Sequence, residues 1–319
     1  MPLRDRLLAL LVAVLWGVNF PATTLGLQHF PPLLMVAVRF TLIAVPAVLL
    51  VPRPQVPLRW FVGMGLGTGT VQFALLYYAM SIGMPGGLAS LVLQACAPFT
   101  VLLGAVVLRE RLNARQVLGS VAAVVGLTVI AVHRGLEGSA AALVPVLLTV
   151  AGGLGWAIGN ICSRQARAPK PLHLTLWMSV VPPLPLLALS LWLEGPRRDW
   201  DALRTAASPA ALPALLGLLY IVVVASIVGY GLWNTLLSRN PSSVVAPFAM
   251  LVPVAGVLSS WLVFDEVPDL VELVAGALVV GGVLFGSRTG RRTRGAEVPS
   301  APLEDPIGPA SPARNPARL

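Results

Sequence analysis

Arg39 lies inside the run Met35-Val-Ala-Val-Arg-Phe-Thr-Leu-Ile-Ala-Val45 and is the one charged residue well within an apolar segment. Ionisable groups in hydrocarbon are costly, so they mark ligand or ion pathways. A guanidinium can grip a carboxylate through two parallel N–H bonds. The plainer reading is that Arg39 bonds backbone carbonyls or stretches its head to the interface. It falls seven residues past Pro32, roughly 10 Å below one membrane edge at a helical rise of about 1.5 Å per residue.

Polar and aromatic residues recur around it at helical spacing. Trp16, Asn19 and Thr23 form one stripe; Thr68 and Gln72, Ser90 and Gln94, and Trp156 and Asn160 form others; Ser226, Tyr230 and Asn234 form the last. Residues three or four apart share a helix face. Any one of these side chains reads as glue between helices. As a set on five segments they read as the lining of a water-filled substrate pathway. Trp16, Trp156, Tyr230 and Trp233 would supply aromatic walls, which can meet an ammonium face-on. Pro98 and Pro253 each remove a helical hydrogen bond and free a carbonyl four residues earlier, at Gln94 and Ala249. Paired helix breaks point to a site near the bilayer midplane, although proline kinks also serve packing alone.

Other chemistry is not written in the chain. It has no GxSxG or HExxH motif and no paired carboxylates within the apolar runs, so an enzyme is not expected. His29, His133 and His173 fall at separate segment ends. Cys96 and Cys162 lie inside apolar segments, so neither a disulfide framework nor a metal site is expected, and no cofactor is called for. The net charge of +9 is scattered through short gaps rather than gathered on a face, which argues against nucleic acid as a partner.

The elements that must position these residues are membrane helices. Of the 319 residues 56% are hydrophobic and 11% charged, against about 25% charged in a soluble domain. Lipid must therefore face much of the chain. Ten runs approach the roughly 20 residues a spanning helix needs: Leu7–Leu25, Pro32–Val51, Trp60–Met80, Leu88–Leu108, Val117–Val132, Ala142–Cys162, Leu172–Leu193, Pro213–Leu236, Val244–Phe264 and Leu270–Phe285. The fifth and tenth are short. The basic start and apolar run at the N-terminus resemble a signal peptide, but no small-residue cleavage site follows cleanly, so this run reads as the first membrane helix. The glycine run Gly63-Met-Gly65-Leu-Gly67-Thr-Gly69 has no strand before it, so it is not a dinucleotide loop; its two overlapping GxxxG patterns suit close helix packing.

Fifteen Arg and Lys fall in the gaps on one side and four on the other. This places both termini in the cytoplasm, with the longest loop, Glu194–Leu212, outside. The residues from Gly286 onward are rich in Arg, Pro and Ala and read as a disordered tail.

The segments also repeat. With an offset of 155, Tyr78–Pro98 lies over Trp233–Pro253. Arg109-Glu110 answers Asp265-Glu266, and Gly126 and Gly282 each follow those glutamates by 16 residues. Trp16-Gly-Val-Asn19 resembles Trp156-Ala-Ile-Gly-Asn160. The expectation is an all-α membrane protein of ten transmembrane helices, built as two inverted five-helix repeats at 7–132 and 142–285, with the tail at 286–319. Five is odd, so the second half enters from the opposite side, and such folds bind a small molecule where the halves meet.

The arrangement over roughly residues 7–285 resembles the EamA family of the drug/metabolite transporter superfamily. Within it, Trp16-Gly-Val-Asn-Phe20, Arg53-Pro-Gln-Val-Pro-Leu58, Gly83-Met-Pro-Gly-Gly-Leu-Ala-Ser-Leu-Val-Leu-Gln94, Ile227-Val-Gly-Tyr-Gly231 and Leu251-Val-Pro-Val254 resemble exporters of cysteine and O-acetylserine. The resemblance implies a multi-pass protein of the bacterial inner membrane. It also implies a small-molecule substrate moved by alternating access; other amino acids, drugs or nucleotide sugars are the alternative cargoes. The topology is tested by a reporter fused after Phe285. It should be active only in its cytoplasm-dependent form, and activity of a periplasm-dependent reporter there would overturn the orientation or the helix count.

Overall fold

The computed structural model of the chain describes residues 1–138 and 140–287; the expected tail lies, apart from its first two residues, outside them. The described residues form helices and no strands. Nine helices among them are long and apolar enough to cross a membrane. The remaining expected span, Trp60–Met80, coincides with a helix that runs unbroken over residues 58–81 but is less apolar. Its four glycines, Thr68, Thr70 and Gln72 set it apart from the nine.

In chain order the helices are α1 (Leu3–Leu27), α2 (Pro32–Leu50), α3 (58–81), α4 (Gly86–Val107), α5 (Ala114–Gly138) and α6 (Ala140–Ala166). There follow α7 (Pro171–Leu193), a short α8 (Pro196–Thr205), α9 (Pro209–Arg239), α10 (Val244–Phe264) and α11 (Leu270–Ser287). Proline opens α2, α7, α8 and α9, where its missing N–H costs no helical bond. The expectation of a short fifth span is corrected: α5 has 25 residues. Arg115, Gln116, His133 and Arg134 lower hydropathy at its ends, yet all are compatible with helix.

The expected outer loop is also more ordered than its composition suggests. Pro196–Thr205 folds as α8, and Glu194 just before it accepts the Leu33 and Leu34 N–H groups at 3.0 and 3.1 Å. The first N–H groups of a helix lack internal partners, and its dipole favours an anion there. Glu194 thus caps α2, the helix that carries Arg39.

Packing is reciprocal. α1 lies against α9 and α10, while α6 lies against α3 and α4. α2 packs on α7, and α5 packs extensively along α11. Glycines permit these close approaches. A Cβ on Gly119 would sit 2.4 Å from the Gly282 carbonyl oxygen, and one on Gly282 would sit 2.7 Å from that of Gly119. The two GxxxG patterns of α3 serve different neighbours. Gly63 and Gly67 face Cys162 and Gly159 of α6, while Gly65 and Gly69 face Val181 and Pro182 of α7.

Two π-helical segments, Gly65–Val71 in α3 and Tyr220–Val228 in α9, begin 155 residues apart. The wider turn shifts hydrogen bonding from i−4 to i−5. Ser226 Oγ donates to the Ile221 carbonyl, five residues back, at 2.8 Å. Two helix interruptions also match. A 3₁₀ turn at Leu93–Ala95 breaks α4 just before Cys96, and α10 breaks between Ala249 and Val252. Pro98 and Pro253 each follow their break.

The glycine contacts yield a paired prediction. Gly282→Ala forces backbones apart and should lower stability by about 1–3 kcal/mol. A Cβ on the neighbouring Gly281 meets nothing within 4 Å, so Gly281→Ala should be neutral or stabilising by up to about 1 kcal/mol. Thermal unfolding of the purified variants in detergent reads the difference; equal shifts for both would refute the contact.

Candidate functional site

A cavity of about 580 Å³ lies between α1, α2, α3, α4, α6, α7, α9 and α10. Trp16 and Asn19 line it from α1, Arg39 from α2, Gln72 from α3 and Gln94 from α4. Trp156 and Asn160 line it from α6, and Tyr230, Trp233 and Asn234 from α9. The structure therefore brings all ten of these residues to one space. The two prolines stand outside it, but the helix breaks before them face in, through Leu93 and Gln94 on one side and Ala249 and Met250 on the other. Gln94 Nε2 reaches across to Met250 Sδ at 3.4 Å. Ser90 Oγ donates to the Pro253 carbonyl at 3.2 Å, joining the two breaks.

Arg39 neither snorkels nor bonds carbonyls. It is 4% exposed. One terminal nitrogen donates to the Tyr77 hydroxyl at 2.8 Å and the other to Ser226 Oγ at 3.3 Å. Its guanidinium carbon lies 4.1 Å from the centroid of the Phe73 ring, close enough for a cation–π contact. Its Nε has no protein partner. Among the described residues no carboxylate lies within ion-pair distance of it. Only Arg39 carries a charge among the lining residues.

The aromatic wall is held by the π-segment of α9. Trp16 Nε1 donates to the Ala225 carbonyl at 2.9 Å, and the Tyr220 hydroxyl donates to the Leu15 carbonyl at 2.9 Å. Gly229 leaves room for the indole, since a Cβ there would lie 2.6 Å from Trp16 Nε1. The Trp16 ring sits 5.4 Å from Tyr230 and 5.2 Å from Trp233.

Sequence reasoning missed Tyr77, which is fully buried and holds Arg39 in place. It also missed Phe73 beneath the guanidinium. Their four-residue spacing on α3 was the available signal. Thr175 and Met178 of α7 were missed as well, though their three-residue spacing puts both on the cavity.

The lining runs to Ser163, Pro171 and Leu237, at the ends of α6, α7 and α9 on one face of the bundle. That face carries Arg164, Arg167 and Lys170. Thr23, Leu34 and Tyr77, near the opposite ends of α1, α2 and α3, are 1%, 2% and 0% exposed and do not line the cavity.

Compared with known proteins, the chain matches the EamA-like transporter family over residues 6–132 and again over 143–288. The family match thus occurs twice within one chain. It is similar to a probable amino-acid metabolite efflux pump of Salmonella typhimurium, with 41% identity over 298 residues that cover 91% of this chain and 98% of the relative. A probable amino-acid metabolite efflux pump of Escherichia coli is 40% identical over 292 residues, covering 89% and 96%. A probable terminal-alkyne amino-acid exporter of Streptantibioticus cattleyicolor is 27% identical over 297 residues, covering 91% and 95%. One crystal structure of a protein matches with a TM-score of 0.59 at 20% identity, covering 91% of this chain and 98% of its own, which is a likeness of fold.

The one-sided mouth is testable by labelling. With both native cysteines replaced by alanine, Ser163→Cys should react with a membrane-impermeant thiol reagent applied from the Arg164–Lys170 face. Thr23→Cys should stay unreactive from that face. Labelling of Thr23→Cys with Ser163→Cys protected would reverse the assignment of the mouth.

Proposed function

This chain belongs to the EamA-like transporter family, and we propose that it exports small amino-acid metabolites, cysteine or O-acetylserine among them, from the bacterial cytoplasm. The observation that carries this reading is the cavity's single, carboxylate-free cation. Arg39 is buried, faces the cavity and offers unused N–H donors. A carboxylate matches such a group in charge and in geometry. Amides and indoles around it suit a small polar zwitterion. Without an acid in the lining, polycationic cargo has no counter-charge. With one cation, polyanionic nucleotide sugars would be left partly unpaired, which is expensive in a desolvated site. The names of the two relatives at 40–41% identity point to the same class of cargo.

The mechanism we propose is alternating access between two inverted five-helix halves, at 7–132 and 142–285, in the inner membrane with both termini cytoplasmic. The reciprocal packing, the twin π-segments and the twin helix breaks support such a pseudo-two-fold relation. A cavity open toward the basic face then corresponds to an inward-open state that receives cargo from the cytoplasm. On this reading the ten lining residues form the substrate pathway and the breaks before Pro98 and Pro253 are its hinges. Exchanging the conformations of the two halves would close the basic face and open the other.

Overproduction in cells that make excess cysteine should raise extracellular cysteine or O-acetylserine. Gln94→Leu should reduce that export, because it removes the polar contact across the helix breaks. Arg39→Lys should reduce it by about tenfold or more, since an ammonium lacks the planar fork. Protein level in the membrane, followed alongside, should stay near wild type. Unchanged levels of both metabolites with folded, inserted protein would sink the cargo assignment.

A further inference from the structure

The amides of the cavity are not equivalent. Asn160 Nδ2 donates to Thr100 Oγ1, Gln94 Nε2 to Met250 Sδ, and Asn234 Nδ2 to the Tyr230 carbonyl. Each of these amide nitrogens has a structural partner, which fixes the side chain. The side-chain oxygens of Asn19 and Gln72 are buried and have none. Gln72 is 4% exposed. Buried polar atoms are paired in the great majority of cases, and an orphan in a cavity calls for a ligand or an ordered water. The third orphan on this cavity is Arg39 Nε. Two acceptors and one charged donor are thus buried and unpartnered on residues that line the cavity.

All three residues line the one cavity. Gln72 precedes Phe73, whose ring lies under the Arg39 guanidinium. The Asn19 carbonyl accepts from Thr23 Oγ1, which touches the Tyr77 hydroxyl, which in turn accepts from Arg39. A guanidinium has five N–H donors. Tyr77 and Ser226 take two of them, so three remain, Nε among them. A primary ammonium brings three donors and no acceptor. In a lining without carboxylates its partners must be neutral oxygens, and the amide oxygens of Gln72 and Asn19 are the ones left buried without a donor.

We infer that Arg39, Gln72 and Asn19 form a head-group site for a zwitterionic α-amino acid. The carboxylate lies on the free edge of Arg39, and the ammonium donates to Gln72 Oε1 and Asn19 Oδ1. This assignment rests on the export reading and sharpens it. The site requires both charged groups on one carbon and reads the side chain only loosely, because much of the wall is indole, thioether and aliphatic surface.

The test uses the purified full-length protein in proteoliposomes, with labelled cysteine as the probe. Three competitors are compared: 3-mercaptopropionate, which lacks the ammonium; cysteamine, which lacks the carboxylate; and S-methylcysteine, which keeps both. S-methylcysteine should compete within about threefold of cysteine, and each truncated analogue about tenfold worse or more, as expected for losing a charged hydrogen bond. Gln72→Leu and Asn19→Leu should weaken cysteine by about tenfold while leaving 3-mercaptopropionate unchanged. Gln72→Glu places an anion at the ammonium position and should strengthen competition by cysteamine, a gain that misfolding cannot mimic. Truncated analogues that compete as well as cysteine would overturn the head-group site. So would Gln72→Leu and Asn19→Leu losses equal for cysteine and 3-mercaptopropionate. Wild-type protein that moves another compound and neither carries nor binds cysteine would overturn the export reading itself, along with the site.

Discussion

The structure is arranged around a guanidinium that has no counter-ion among the described residues. Placing arginine at the centre of a membrane helix costs about 3 kcal/mol by insertion scales. Two hydrogen bonds from a charged donor contribute about 1.5–3 kcal/mol each, and a desolvated ring beneath the cation contributes about 2 kcal/mol. Tyr77, Ser226 and Phe73 thus hold the group in place without neutralising it. A charge that is solvated but unpaired is a standing invitation to an anion. Had Asp or Glu been its partner, the same geometry would be a sealed ion pair and the cavity would have nothing to offer a carboxylate.

The surrounding elements make sense as supports for that arrangement. Glu194 fixes the start of α2 and so the depth of Arg39. The π-segment of α9 supplies Ser226 to Arg39 and the Ala225 carbonyl to Trp16. A regular α-helix would commit that carbonyl to its own ladder. π-turns cost helical regularity, and they tend to occur at functional sites for the reason seen here.

Much of this was legible in the sequence, because membrane helices announce themselves by length and hydropathy and because helical spacing reveals which polar residues share a face. Eight of the ten cavity residues emerged from that spacing, Arg39 from its charge within an apolar run and Trp233 as an aromatic beside them. The α3 segment was recognisable as a span even though its glycines and threonines dilute its hydropathy. Other features were not legible. A π-turn has no residue signature, so the twin segments in α3 and α9 came only with the backbone. Tyr77 sat in an apolar stretch beside Tyr78, and only its four-residue spacing from Phe73 hinted which of the two turned inward; Tyr77 is buried and Tyr78 is 44% exposed. The length of α5 was underestimated because hydropathy measures the membrane and not the helix. Spacing also ranked Asn19 and Gln72 with Asn160 and Asn234, whereas hydrogen bonding separates them.

The reciprocal packing has a consequence for biogenesis. The partners of α1 are α9 and α10, and the glycine face of α3 is covered by α6. During synthesis the first five helices enter the bilayer with these faces bare, and Arg39 waits for Ser226 until α9 arrives. Lipid tails cannot satisfy a guanidinium or fill a glycine groove. The nascent first half is therefore an unfinished surface, held by its own contacts of α1 with α4, α2 with α3 and α4 with α5. A ribosome that stalls after α5 leaves a fragment with exposed polar side chains in hydrocarbon, which is the kind of substrate that membrane quality-control proteases remove.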